Sequence, residues 1–277
     1  MALEKKERYG LRPKKRFGQH FLRDRNILKK IVRVAQVRPG EHVLEIGPGP
    51  GTLTEALIEA GATVTAVELD REICDFLRKK FAGVEEFDLV EGDAAGISYI
   101  DLSREKKTRF KVVSNPPYNI TGPLLVKFFN EREAFTGVTI MLQKEVAQRV
   151  ASGPGTRDYG ILSVLLQLHY DVKIEFNVSK NLFTPTPKVD SSVLGLRPLP
   201  GPRVPVESEA FFTRVVRTAF GTRRKTLLNA LKPLGAEKQD LVRAFEKAGI
   251  DPKRRAETLS LEEFSALASA LLEGNFL

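Results

Sequence analysis

Tryptophan is absent from this 277-residue chain, and there is a single cysteine, Cys74. One cysteine excludes a disulfide within the chain and fits a reducing compartment, so a cytoplasmic protein is expected. Cys74 falls inside an expected helix, in Ile73-Cys74-Asp75-Phe76, as a core residue, so a covalent cysteine mechanism is not expected. The three histidines, His20, His42 and His169, are scattered. None has His or Cys partners at ligand spacing, so no metal is expected. No apolar run is long enough to span a bilayer, and the charged N-terminus does not read as a signal peptide.

Acid is scarce in two places. Residues 1–33 hold 12 Lys/Arg against 3 Asp/Glu, which accounts for the whole net charge of +9. Residues 211–236 carry Arg214, Arg217, Arg223, Arg224, Lys225 and Lys232 with no acid. Two basic clusters on an otherwise neutral chain predict a polyanion-binding face, with Arg223, Arg224 and Lys225 as candidate nucleic-acid contacts. A pair of solvated basic segments is the alternative.

The chemistry-bearing residues sit at the ends of expected strands. Asn115-Pro116-Pro117-Tyr118 follows the apolar run Phe110–Ser114. An Asn side-chain carbonyl and a main-chain carbonyl, here at Pro116, can accept both hydrogens of an exocyclic amine. The prolines stiffen the loop, and Tyr118 offers a stacking face. Upstream, Val43–Ile46 runs into Gly47-Pro48-Gly49-Pro50-Gly51-Thr52. Glycines there let the backbone pass close under a ligand. The spacing departs from the dinucleotide fingerprint, and no lysine follows as in a P-loop. Thr52 and Glu55 have capping-box spacing, which predicts a helix beginning at Thr52 as its cap. The next strand, Thr63–Glu68, ends in an acid suited to a ribose hydroxyl pair, and the third ends in Asp93, suited to an adenine edge.

Asp24 predicts the cap of a helix over 25–37. Strands and helices then alternate to residue 150, which implies a parallel sheet. A helix over 161–168 and two late strands over 171–178 and 191–196, antiparallel, are expected. Five residues of the stretch 198–205 are Pro or Gly, the clearest linker; only helical patterns follow, with Ser260 and Glu263 as a capping box.

The residues Gly47, Glu68, Asp93 and Asn115-Pro116-Pro117-Tyr118 resemble those of S-adenosylmethionine-dependent methyltransferases acting on the adenine amine. Three further segments resemble the KsgA-type ribosomal RNA adenine dimethyltransferases: Lys15–Leu22, Phe183–Val193 and Phe220–Leu227. The likeness runs from about residue 12 to the C-terminus. One departure is Pro116, where the family more often has an aliphatic residue; the Asn-Pro-Pro-Tyr form is also common in DNA adenine methyltransferases.

The resemblance implies a Rossmann-like class I methyltransferase sheet over 1–200, with a basic N-terminal arm, and a small all-helical RNA-binding domain over 206–277. It implies S-adenosylmethionine as cofactor, bordered by His20 and Leu22 besides Gly47, Glu68, Asp93 and Asn115. It implies a catalytic set of Asn115, Pro116, Tyr118 and Phe183, the last as a second aromatic against the target base. The implied reaction is N6,N6-dimethylation of adenosines in 16S ribosomal RNA within immature small subunits, by a protein expected to be monomeric and without membrane or metal partners. Large-subunit RNA or DNA adenine methylation is the rival of the same chemistry. A non-catalytic assembly factor is the rival of another class.

Overall fold

The structure, a computed structural model, describes residues 18–222 and 224–274. The N-terminal arm, the start of the first signature (Lys15–Phe17) and Arg223 lie outside the described residues. The chain divides into two compact units, 1–147 with 171–198, and 148–170 with 199–277. The linker expected over 198–205 falls at the last of these boundaries. Residues 148–170, grouped by the sequence with the first domain, cluster instead with the C-terminal helices, because their apolar positions pack there.

The first unit holds β1 (Phe21–Leu22), α1 (Arg25–Val34), β2 (His42–Ile46), α2 (Thr52–Glu59), β3 (Thr63–Glu68), α3 (Arg71–Lys80), β4 (Phe87–Glu91), α4 (Tyr99–Glu105), β5 (Phe110–Ser114), α5 (Thr121–Asn130) and β6 (Phe135–Gln143). After α6 (Lys144–Ala151) and α7 (Ile161–His169) come β7 (Tyr170–Val178), β8 (Phe183–Thr184) and β9 (Ser191–Pro198). The second unit is completed by α8 (Glu209–Phe220), α9 (Leu227–Ala230), α10 (Lys238–Ala248) and α11 (Leu261–Glu273).

Seven strands form one sheet in the order β4-β3-β2-β5-β6-β9-β7. The five from β4 to β6 are parallel, and β9 runs antiparallel to β6. Central strands such as Val43–Ile46 and Val112–Ser114 are buried, as expected where helices cover both faces. From β2 the chain moves outward to β3 and β4, then returns to the other side of β2 with β5. The order therefore reverses between β2 and β5, and a crevice opens there at the carboxyl ends of the strands. The Ser114 hydroxyl donates to the Ile46 carbonyl at 2.6 Å and ties the two strand ends together.

Helix starts follow the sequence in two of three cases. Asp24 caps α1 by accepting from the amides of Asn26 (2.8 Å) and Ile27 (3.0 Å), an arrangement that stabilises by about 1 kcal/mol. Ser260 and Glu263 form the expected reciprocal box on α11. Thr52 does not cap α2. The cap is Gly51 in a left-handed conformation at φ 75°, and Thr52 is the first helical residue. A side chain at Gly51 would meet Phe81 at 2.8 Å, so packing against α3 dictates the turn. The second unit packs Phe212, Phe245 and Phe264 into its own core, and the buried His169 ring meets the Glu209 carboxylate at 2.9 Å.

Candidate active site

The Gly-rich turn after β2 and the Asn-Pro-Pro-Tyr loop after β5 meet across the crevice. Gly47 has φ 66°, and a Cβ on it would lie 2.7 Å from the Cδ of Pro117. Gly49 has φ 55°, and its Cβ would lie 2.9 Å from the Phe21 ring. Only glycine serves at both positions, because the backbone is left-handed and has neighbours against it. Lys80 holds the turn from α3: its ammonium donates to the Pro50 carbonyl at 2.7 Å and pairs with Glu55 at 3.0 Å.

Two adjoining clefts share Gln19, Gly47, Glu68 and Pro117 in their walls. The first, about 580 Å³, is lined by His20, Leu22, Glu45, Asn115, Pro116 and Tyr118 among others. The second, about 420 Å³, is lined by apolar Ile46, Val67, Leu69 and Ile120 and by Asp93. Eight of the nine residues named for cofactor and catalysis thus line one composite cleft: His20, Leu22, Gly47, Glu68, Asp93, Asn115, Pro116 and Tyr118. Asn115 is half-buried, and its side chain has no hydrogen-bond partner among the described residues.

Glu68 is held in place by the turn that follows it. Its Oε1 accepts from the amides of Leu69 (2.9 Å) and Asp70 (2.8 Å). Burial raises its pKa, while these amides pull it back down. Asp93, exposed, accepts from the Ala95 amide at 2.9 Å. Leu69 is 51% exposed between them, a large apolar side chain left on the cleft wall. A carboxylate for a diol, a carboxylate beside an apolar slot, and a glycine cradle suit a nucleoside with a polar extension, so the residues present fit S-adenosylmethionine.

The N-terminal signature and the late motif, more than 160 residues apart, clasp one another. Phe21 pairs with Thr184 and Leu22 with Phe183 in an antiparallel β1–β8 bridge. His20 donates from Nδ1 to the Pro185 carbonyl at 2.7 Å and stacks on the Tyr118 ring at 5.6 Å between centroids. The Tyr118 hydroxyl is 2.6 Å from the Ser191 hydroxyl. Phe183 does not line either cleft. It is buried in the core around Leu22, Leu28, Met141 and Val193. Arg224 and Lys225 are exposed in the turn before α9.

Sequence reasoning passed over Glu45 and Leu69. An acid within the buried strand Val43-Leu44-Glu45-Ile46 was the signal for the first, and an apolar residue in a polar turn for the second. Glu45 is fully buried, with the Thr54 hydroxyl donating to it at 2.6 Å. Burial pushes its pKa from the ordinary 4.5 up to about 8; the Thr54 bond and Lys80 act against the rise, and Glu68 adds to it. A raised carboxyl pKa stabilises the fold below the unfolded value and loses that contribution as pH rises toward the folded value. Glu45→Gln should therefore match wild type in thermal stability near pH 5 and exceed it by several degrees near pH 8, since one pKa unit is about 1.4 kcal/mol. An equal gap at both pH values in a thermal melt would show Glu45 ionised in the folded protein.

The geometry agrees with what the chain is similar to. The model of the family described as ribosomal RNA adenine dimethylase matches residues 10–272. The ribosomal RNA small subunit methyltransferase A of Geobacter metallireducens is 47% identical over 266 residues, covering 95% of this chain and 97% of that protein. Among solved structures, the 23S rRNA methyltransferase ErmE is 27% identical with a TM-score of 0.68, covering 91% of this chain and 99% of its own. A dimethyladenosine transferase from Plasmodium falciparum, 24% identical, superposes with a TM-score of 0.76 over 93% of this chain and 99% of its own, and shares the fold. The sheet is that of a class I methyltransferase, and with a family match over nearly the whole length, the chain belongs to the ribosomal RNA adenine dimethylase family.

Proposed function

We propose that this chain transfers methyl groups from S-adenosylmethionine to the exocyclic amines of adenosines in 16S ribosomal RNA, two on each of two adjacent bases, acting as a monomer on immature small subunits. The observation that carries the reading is Asn115: a side-chain amide with no partner among the described residues, at the reversal of strand order, on the loop packed against Gly47. A polar group left open on a cleft wall is suited to a ligand.

Bound S-adenosylmethionine supplies an electrophilic methyl group. Glu68 would hold the ribose hydroxyls, Asp93 the adenine edge and Leu69 the face of the ring, while His20 and Leu22 would border the cofactor. The Asn115 carbonyl and the main-chain carbonyl of Pro116 accept the hydrogens of the target amine. This keeps electron density on a nitrogen whose lone pair is otherwise drawn into the ring. It also aligns nitrogen with methyl, and such positioning can supply much of the barrier reduction. Tyr118 stacks on the target base, its ring held in place by His20 and its hydroxyl by Ser191. Phe183 acts on the cofactor side of the cleft from the core, by backing Leu22. The target base must leave its stack, which costs a few kcal/mol unless it is already unpaired.

The test is to offer labelled cofactor with immature small subunits, large subunits and naked DNA, and to map the methylated base. Two methyl groups per adenosine on small-subunit RNA alone are expected. Transfer confined to large-subunit RNA or to DNA would overturn the reading. Clean binding without transfer would favour the assembly-factor rival.

Arg223, Arg224 and Lys225 are proposed to hold RNA phosphates. Reversing all three to Glu should weaken binding to immature small subunits, leave cofactor affinity near wild type, and flatten the dependence of log K on log salt by roughly 2–3. Unchanged binding with an unchanged slope would make this turn a solvated face.

A further inference from the structure

Beside the cleft lies a charged groove that the methyl-transfer chemistry does not use. Leu28 and Thr52 line the cleft and also line a groove between α1 and α2. The α1 side of that groove carries Arg23, Arg25 and Lys29. From residue 23 to residue 38 there are six Lys/Arg and one acid, Asp24, and Asp24 is engaged as the cap of α1.

Arg25, Lys29 and Arg33 are exposed and spaced four residues apart. They form one stripe along α1, about 12 Å long at 1.5 Å per residue. None of the three has an ion pair with a described residue. The start of the stripe does not serve the helix: α1 has no acid in its first turn, and Arg25 begins the helix where the macrodipole disfavours a cation, whereas Arg33 in the last turn sits where the macrodipole favours one. The facing wall carries Glu59 and Glu55, the latter paired with Lys80 at 3.0 Å. An anion is therefore drawn to the α1 side. Single-stranded phosphates follow one another closely enough for a stripe of this length to meet more than one. A base extruded into the cleft leaves its flanking backbone outside it, and the groove shares Leu28 and Thr52 with the cleft.

We propose that Arg25, Lys29 and Arg33 form a phosphate track that grips the RNA strand flanking the target adenosine. The proposal rests on the ribosomal RNA reading above and adds a second anion-binding surface, on the cofactor-binding unit itself.

The test is the triple variant Arg25→Gln/Lys29→Gln/Arg33→Gln, which keeps the side-chain stems and removes the charges. Steady-state methylation and binding of immature small subunits are measured over a range of salt, with cofactor affinity by calorimetry. The variant should bind cofactor as wild type does, show a KM for particles raised about tenfold, and have a log–log salt slope shallower by roughly 2–3, one contact being worth about 0.7–0.9. The charge-keeping pair Arg25→Lys/Arg33→Lys should retain the wild-type slope. Should the triple variant lose cofactor affinity, Lys29→Gln alone reads the same question as a slope change of about 0.7–0.9. Wild-type transfer to particles with unchanged KM and slope in the variants overturns the track alone. No transfer by wild type overturns the functional reading and the track with it.

Discussion

Asn115→Ala is expected to lower single-turnover methyl transfer about 10²-fold or more while cofactor affinity changes by only a few-fold. The size is that of removing one preorganised polar group aimed at charge that develops in the transition state. The split between rate and affinity follows from position. Asn115 stands in the wall of the larger cleft, with its amide open, and is absent from the apolar slot around Leu69 and Asp93. Its loop is held by other groups, including the Ser114 bond to Ile46 and the Thr121 hydroxyl bond to the Tyr118 carbonyl. Truncation therefore should leave the scaffold intact. Rapid-quench kinetics beside calorimetry decide the matter. Equal losses in rate and cofactor affinity would move Asn115 from the target amine to the cofactor.

Glu68→Ala should show the opposite split, with cofactor affinity falling about 10- to 100-fold. Losing a charge-assisted pair costs about 1.5–3 kcal/mol. The same truncation leaves the Leu69 and Asp70 amides without their acceptor. Glu68→Gln separates the two effects, because one amide oxygen can still receive those N–H groups while the charge is gone. A tighter cofactor complex in Gln than in Ala is expected, with both below wild type. Calorimetry returning wild-type affinity for Glu68→Ala would remove the ribose from this carboxylate.

Much of the candidate site was legible because each candidate group stands at a strand end. Gly47, Glu68, Asp93 and Asn115 are each preceded by an apolar run, and a parallel sheet brings the ends of such runs to one edge. Asp24 and Ser260 were legible as caps because the cap interaction spans only three residues. Thr52 carried the same local signal and was not a cap. There the decision came from Phe81 and Leu77 pressing on Gly51, contacts made by a helix some thirty residues away. Phe183 was legible as part of a motif, but its burial against Leu22 depends on the β1–β8 bridge, which no periodicity announces.

The sequence by itself determined which residues could do the chemistry, the alternation that makes a parallel sheet, and the two basic clusters. These are properties of residue type and of spacing within one element, and they persist whatever the element packs against. The tertiary structure alone decided the strand order that reverses between β2 and β5, so that Gly47 and Asn115 face each other. It decided that Pro117 closes on Gly47, that His20 and Ser191 fix Tyr118, and that Glu45 sits where burial keeps its proton. It also placed Arg25, Lys29 and Arg33 on the exposed face of α1, with Arg25 and Lys29 lining a groove that shares Leu28 and Thr52 with the cleft. Each of these depends on groups far apart in the chain, and their energies are set by desolvation and contact, which exist only once the elements have packed.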